Sequence, residues 1–372
     1  MKNYIFLCLM KKDAGPAIID SIATELSSDN DTSAYFIVSD EIENKPKLDT
    51  YASNIHIIYL DTGNKKTFIF KTLKFIMSGK KTISDVTGGQ QFDLYLQVFG
   101  HPWGKMIGKS FKYANDAVIC HDPAPHTGES FLNKLLSEYA YKKASNLVVC
   151  TRSFVDLAKN RFKKRVYFMP QGLFTNYKWN ADIVEKTNRN KSSTRFLFFG
   201  RIEKYKGVEI LLKAFSKFDE KEQVELLIAG SGDLSAYDQW LNDRRITTIN
   251  RYLNDSEISD LFSDRNTILV LPYIDATQSG VAMIAIGLEV PVIASDTGGL
   301  KEQLNDGGVG YFCKPGHVDD LFEKMSLLYR DKERLEVERE KMRAFKSELR
   351  WSCLLEKLTN ELNGNISGSR TR

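Results

Sequence analysis

No stretch of the 372 residues is long and apolar enough to span a bilayer as a helix. Residues 4–10 are apolar, but the run is short and Lys11, Lys12 and Asp13 follow at once. A secretory signal has a cationic start, a longer apolar run and a small-residue cleavage site. The run reads instead as a first buried strand, and the expectation is a cytoplasmic protein. Neither Cys-x-x-Cys nor His-x-x-x-His occurs, which argues against a zinc site. Five cysteines (Cys8, Cys120, Cys150, Cys313, Cys353) are scattered without close pairing, three of them in strand-like runs where cysteine behaves as a small hydrophobe. No Gly-x-Gly-x-x-Gly follows the first strand, so a nicotinamide dehydrogenase is disfavoured. There is no repeat at solenoid or propeller periods.

A chain of this length exceeds what one core usually supports, so two domains are expected. The formal net charge is only +4, but it is unevenly divided. Residues 1–180 carry 24 Lys and Arg against 17 Asp and Glu, whereas residues 181–372 carry 28 against 31. The basic first half is suited to an anionic partner. Short apolar runs at 4–10, 34–38, 55–60, 94–99, 117–120, 147–150 and 166–169 alternate with segments long enough for crossover helices. The pattern restarts at 196–199, 224–229, 268–271 and 290–294 after a polar, linker-like stretch at 178–194. Two Rossmann-like, doubly wound α/β domains are expected: 1–180 and 190–347. A final helix over about 330–362 is expected, its last part from 348 packing back on the first domain. A Gly/Ser-rich tail, 363–372, reads as disordered.

The densest chemical signal lies at 195–215. An apolar run ends in Gly200, Arg201 and Lys206 follow five residues apart, and Gly207 opens a helical repeat with Val208, Leu211, Leu212 and Phe215 on one face. Two cations beside a helix N-terminus form an anion site, because free N–H groups and the helix dipole add to the side-chain charge. The same residues in an ordinary strand–helix loop would be mere surface cations. Downstream, Gln278-Ser279-Gly280-Val281 follows a strand and a polar turn. Gly280 permits close backbone approach, and Ser279 with the amides of 280 and 281 suits phosphate or sugar hydroxyls. The alternative is a Gly-containing helix entry with Ser279 as an ordinary cap.

Gly200-Arg201-Ile202 with Lys206-Gly207 resembles the donor loop of glycosyltransferase family 4. Pro291-Val292-Ile293-Ala294-Ser295 with Gly298-Gly299 and Glu302 resembles that family's downstream signature. The segment around 276–281 is similar to a variant loop found among bacterial surface-polysaccharide enzymes. The resemblance is dense over 195–312 and thinner in the first half. It implies a GT-B fold, two Rossmann-like domains facing a cleft, with donor binding by Arg201, Lys206, Gln278, Ser279, Gly280, Val281 and Glu302. It further implies that His121, with Asp122, lines the reaction site, and that Gly15, His126 and Glu129 contact the acceptor. His121 as a structural loop histidine remains the alternative. His56, His101 and His317 carry no supporting pattern and read as structural or exposed. Two glutamates common in the family are absent; Ala276 and Ile284 stand at those positions, and Glu289-Val290 stands where a glycine usually precedes the Pro291-Val292 pair.

Residues 65–81 interleave six lysines with apolar side chains. On a helical projection Ile69, Phe70, Leu73, Ile76 and Met77 form a core face, leaving Phe68, Lys71, Lys74 and Phe75 for an anionic membrane surface or for plain solvent. Together these features lead to a retaining, metal-independent glycosyltransferase without cofactor or nucleic-acid partner. The resemblance supplies the retention. The expected partners are a nucleotide-sugar donor, a lipid-linked saccharide acceptor in surface polysaccharide synthesis, and peripheral contact with the inner face of the membrane. A non-catalytic nucleotide-sugar-binding scaffold and a sugar-nucleotide epimerase are the competing readings.

Overall fold

The computed structural model describes all residues except 13, 64–66, 122, 124–130, 190–192 and 368–372. The chain divides into two compact units, residues 1–175 with 349–372, and residues 176–348. In the first, strands β1 (Lys2–Cys8), β2 (Thr32–Ser39), β3 (Ile55–Leu60), β4 (Gln91–Gln97), β5 (Lys112–Ile119), β6 (Asn146–Val149) and β7 (Arg165–Phe168) form one sheet in the order β3-β2-β1-β4-β5-β6-β7. In the second, β8 (Thr194–Phe199), β9 (Val224–Ala229), β10 (Ile246–Ile249), β11 (Thr267–Leu271), β12 (Val292–Ser295) and β13 (Tyr311–Cys313) are ordered β10-β9-β8-β11-β12-β13. Every pairing is parallel. Parallel strands covered on both faces read as continuous apolar runs, and Ile5, Phe6 and Leu7 of β1 and Leu269, Val270 and Leu271 of β11 are fully buried.

Two strands escaped the sequence reading, β10 and β13, and both lie at sheet edges. Edge strands are short and partly solvated, so they lack a long apolar run. The stretch expected as a linker contains a helix, Ala181–Arg189, which packs against the helix Asp255–Ser263. Ahead of it Asn180 donates through its backbone N–H to Ser263 Oγ at 2.7 Å and through Nδ2 to Asp260 Oδ1 at 2.7 Å.

The C-terminal segment also differs. Instead of one helix over 330–362 there are two, Lys332–Lys346 and Trp351–Ser367, separated by the turn Ser347–Leu349. Residues 363–367, expected in a disordered tail, continue the second helix, where Asn363 Oδ1 accepts a 2.8 Å hydrogen bond from Asn115 Nδ2. The rest of that tail lies outside the described residues. The start of this helix is held by Glu25, on the helix Ala14–Leu26, whose carboxylate accepts from the backbone N–H of Trp351 at 2.8 Å and of Ser352 at 3.0 Å. A carboxylate here meets the unsatisfied N–H groups and the positive end of the helix dipole. Trp351 itself is buried and donates through Nε1 to the Leu173 carbonyl at 2.9 Å.

The segment 68–87 orients opposite to expectation. It runs as Phe68–Lys74, a π-helical turn Phe75–Gly79, and Lys80–Thr87. Phe75, expected at a membrane, is 5 % exposed and stacks on Trp103 with centroids 5.0 Å apart. Phe70, Leu73, Ile76 and Met77, expected in the core, are exposed. Lys71 is ion-paired with Asp61, while Lys74 stays largely exposed. The side chain of Phe68 lies outside the described residues. The reason for the reversal is tertiary: Trp103, which stacks on Phe75 and donates to Thr72 Oγ1 at 3.0 Å, meets the less apolar stripe.

Glu25→Ala should lower the unfolding free energy by about 2 kcal/mol through loss of this cap, read as a lower urea midpoint; an unchanged midpoint would remove Glu25 from the account.

Candidate functional site

In an open parallel sheet, ligands bind beyond the carboxyl ends of the strands, where the strand order reverses. In the second unit the chain leaves β8 toward β9 and β10, then returns to the other side of β8 with β11, β12 and β13. The reversal therefore falls between β8 and β11. The loop after β8 carries Arg201 and Lys206, and the loop after β11 carries Gln278, Ser279, Gly280 and Val281. Tyr205 O accepts from Ile274 N at 2.8 Å, so the two loops are tied. Gly207 permits the closest contact: at φ +70° a Cβ there would lie 1.9 Å from the Pro272 carbonyl oxygen. A third loop, after β12, joins through Gly299 N, which donates to Thr277 O at 3.0 Å.

Two eight-residue helices, Val208–Phe215 and Gly280–Gly287, begin at this junction. Their first N–H groups have no partner within the helix. Gly280 is exposed and Val281 half-buried, so their amides are near the surface. Ser279 behaves as the cap: it is 2 % exposed, its Oγ accepts from Ala282 N at 3.4 Å, and it lies 3.3 Å from the Tyr273 hydroxyl. The Ser279 N–H is taken by Gln303 Oε1 at 2.8 Å. Ser279 thus helps shape the loop. Gln278 and Glu302 are half-buried beside these groups in sequence, Glu302 on the short helix Leu300–Gln303.

Arg201 is 72 % exposed at its side chain and pairs with Glu203 at 3.0 Å. Lys206 is half-buried, with Nζ 3.8 Å from the centroid of the Tyr273 ring and 5.1 Å from that of Tyr205. Burial, with Arg201 nearby, lowers its pKa to about 8. The aromatic faces offset part of the lost hydration, and a bound anion would stabilise the charged form further.

In the first unit the reversal lies between β1 and β4. His121, immediately beyond β5, sits at this edge. Its Nε2 is 2.9 Å from the Val98 carbonyl oxygen, and its ring stacks on Phe99 with centroids 4.2 Å apart. A carbonyl only accepts, so Nε2 carries the proton and the ring is held in one orientation. Gly15 lies in the first turn of its helix, where a Cβ would come within 2.7 Å of Met10 Cβ and 2.9 Å of Cys8 Sγ. Gly15 therefore lets that helix close on the end of β1. Asp122, His126 and Glu129 lie outside the described residues. His101 is half-buried, with Nδ1 accepting from Trp103 N at 3.1 Å, and desolvation lowers its pKa to about 4. Among the described residues no group of three or more His, Cys, Asp or Glu is placed to hold a metal ion.

Residues 180–345 match the family model of glycosyl transferases group 1. Over 157 residues the chain is 29 % identical to an uncharacterized glycosyltransferase of Methanocaldococcus jannaschii, an alignment covering 38 % of this chain and 40 % of that relative. A second uncharacterized glycosyltransferase of that organism is 24 % identical over 301 residues, 77 % of this chain and 80 % of the relative. Sucrose-phosphate synthase from Thermosynechococcus elongatus superposes with a TM-score of 0.71 at 14 % identity, over 99 % of this chain and 100 % of the other. HepE from Anabaena, solved in complex with UDP-glucose, superposes with a TM-score of 0.69 at 15 % identity and the same coverage. The chain has the GT-B fold.

The group 1 match contains Arg201, Lys206, the 278–281 loop and Glu302, the residues that the GT-B reading of the sequence assigned to one site. Sequence reasoning passed over Tyr273 as a partner of Lys206, Glu203 as the partner of Arg201, and Gln303 as the acceptor for Ser279. Tyr273 and Gln303 act across contacts between loops, whereas Glu203 stands only two residues from Arg201. Glu289 adopts φ +50°, a left-handed conformation that favours glycine. Its side chain pairs with Arg343 at 2.8 Å and with Lys346. Burial opposes its charge, yet Lys346 and Arg343 hold the carboxyl below its usual range. Ile284 is 5 % exposed, a core residue of the helix Gly280–Gly287.

Gly298 adopts φ +53°, and a Cβ there would lie 1.4 Å from the Ala276 carbonyl oxygen. Gly298→Ala should therefore displace the 276–279 loop and lower stability by roughly 1–3 kcal/mol. Thermal unfolding measures this, and an unaltered midpoint would mean that the loop yields freely.

Proposed function

We propose that this protein is a retaining, metal-independent glycosyltransferase of family 4 that moves a sugar from a nucleotide-sugar to a lipid-linked saccharide in surface-polysaccharide synthesis, at the inner face of the membrane. The observation that carries the donor assignment is the placing of Arg201 and Lys206, with two helix N-termini, where strand order reverses between β8 and β11. Cleavage of the sugar–phosphate bond builds negative charge on the leaving diphosphate. Arg201 supplies a planar fork of donors and Lys206 a point charge, and fixed cations and amides stabilise that charge as it develops. Two cations and two helix ends offer the compensation that a divalent metal gives elsewhere, which supports metal independence. The Gly280 and Val281 amides and Gln278 serve donor phosphate and sugar, with Glu302 beside them.

The acceptor is assigned to the first unit, with Gly15, His126, Glu129 and Asp122 as its candidate residues. His121 presents a fixed ring near the transferred sugar and, with Nε2–H directed at Val98 O, acts by position rather than as a base at that nitrogen. The UDP-glucose complex of the HepE neighbour supports a nucleoside-diphosphate sugar as donor. Retention, the lipid-linked acceptor and the polysaccharide role are supported by the family resemblance of the 200–207 and 276–302 blocks. Ala276 and the buried Ile284 favour one competitor, a donor-binding scaffold without turnover.

Calorimetry of UDP-, GDP- and ADP-sugars against the wild type and Arg201→Ala tests the donor site. One sugar nucleotide should bind, and the substitution should weaken it at least about tenfold. No binding by any member removes the donor assignment, and binding without turnover on lipid-linked acceptors passes the reading to the scaffold.

Lys206 adds a pH signature. Its free-state pKa is about 8, and a bound diphosphate raises it. Affinity should be full below about pH 8 and fall as pH rises toward the pKa of the complex. Lys206→Arg should flatten the profile, as read by calorimetry across pH; an equally steep fall in that variant would assign it to another group.

A further inference from the structure

We propose that the helical face carrying Phe70, Leu73, Ile76 and Met77 docks on an anionic phospholipid bilayer. The inference deepens the membrane-facing part of the glycosyltransferase reading and rests on it for its purpose, though not for its physics. These four side chains are 67 %, 55 %, 48 % and 86 % exposed, while Phe75 and Ile83 of the same segment turn inward to the core. Phe70, Leu73 and Met77 follow one another at i, i+3 and i+7, so they form a stripe rather than isolated exposures. An apolar stripe of this length left in water needs a partner.

The charge around the stripe identifies that partner. From residue 62 to residue 84 there is no carboxylate, and six lysines are present; the first acid beyond is Asp85. Lys74 and Lys81 are exposed and Lys80 half-exposed on the segment that bears the stripe. Lys109, also exposed, lies in the turn Gly108–Ser110, which packs against the helix Lys80–Thr87. Asp61 answers Lys71 and reaches within 4.0 Å of Lys74, leaving the far side of the patch positive. Protein interfaces deplete lysine around an apolar centre. An apolar stripe flanked by lysines suits the boundary between acyl chains and anionic headgroups, where lysine stems lie along the interface and ammonium groups reach phosphate. Among the described residues no helix is long and apolar enough to cross a membrane, so the contact is one of lying on the surface.

The test is co-sedimentation of the full chain with phosphatidylcholine vesicles and with the same vesicles containing phosphatidylglycerol. The wild type should partition onto the second at least about tenfold better than onto the first. Phe70→Ser with Met77→Ser should cut that binding at least about tenfold. Lys80→Ala with Lys81→Ala should remove much of the preference for the anionic vesicles. Sugar-nucleotide binding, measured on the same samples by calorimetry, should be unaltered, which separates failure of docking from failure of the donor reading and shows that the variants are folded. Wild-type chain left in the supernatant with both vesicles, or serine variants that sediment as the wild type does, would overturn the proposal. So would a wild-type dimer that Phe70→Ser with Met77→Ser converts to monomer, because the stripe would then be an interface between copies.

Discussion

A parallel sheet covered on both faces is the constraint from which the rest of each unit follows. Its central strands are buried along both sides, so they hold no room for polar chemistry. Chemistry is confined to strand ends, and among these to the place where neighbouring connections diverge to opposite faces. In the second unit that place is between β8 and β11. The contact of Gly207 with the Pro272 carbonyl and the bond from Ile274 to Tyr205 bring the two loops together there. Cations and helix ends thus converge through backbone approach, with small residues making the approach possible.

Lys206 illustrates the cost of such convergence. Half-burial against Tyr273 and Tyr205 fixes the ammonium in place but weakens its hold on the proton. Arg201, by contrast, is exposed and paired with Glu203. One cation is therefore packed between aromatic rings and the other lies at the surface. Glu289 shows the same balance in a structural role: a left-handed backbone is held by two basic side chains from one helix and by Arg339, whose Nη1 donates to the Glu289 carbonyl at 3.0 Å.

The strands were legible wherever burial is continuous. All seven of the first sheet and four of the second announce themselves as short apolar runs, whereas β10 and β13, at the edges, do not. The loop that carries the cations was equally legible, because Gly200, Arg201, Lys206 and Gly207 occupy one stretch of chain. The partner of Lys206 was not: Tyr273 matters through a contact between two loops that no spacing encodes. Segment 68–87 was misread for a related reason. Helical periodicity offered two faces, and the more apolar one was taken as core, while the aromatic ring that decides the matter, Trp103, stands 28 positions after Phe75.

Sequence alone determined the alternation of buried strands and crossover helices, the two-unit α/β plan, and which loop would carry the cations. These depend on local apolar period and on residues adjacent in the chain. Tertiary structure alone decided which face of the 68–87 segment is exposed and that Glu25 anchors the C-terminal helix. Each of these is settled by a partner distant in sequence, Trp103 and the Trp351 amide. Local pattern can state that a group seeks burial or a hydrogen bond, but the choice of partner is made only when the chain has closed on itself.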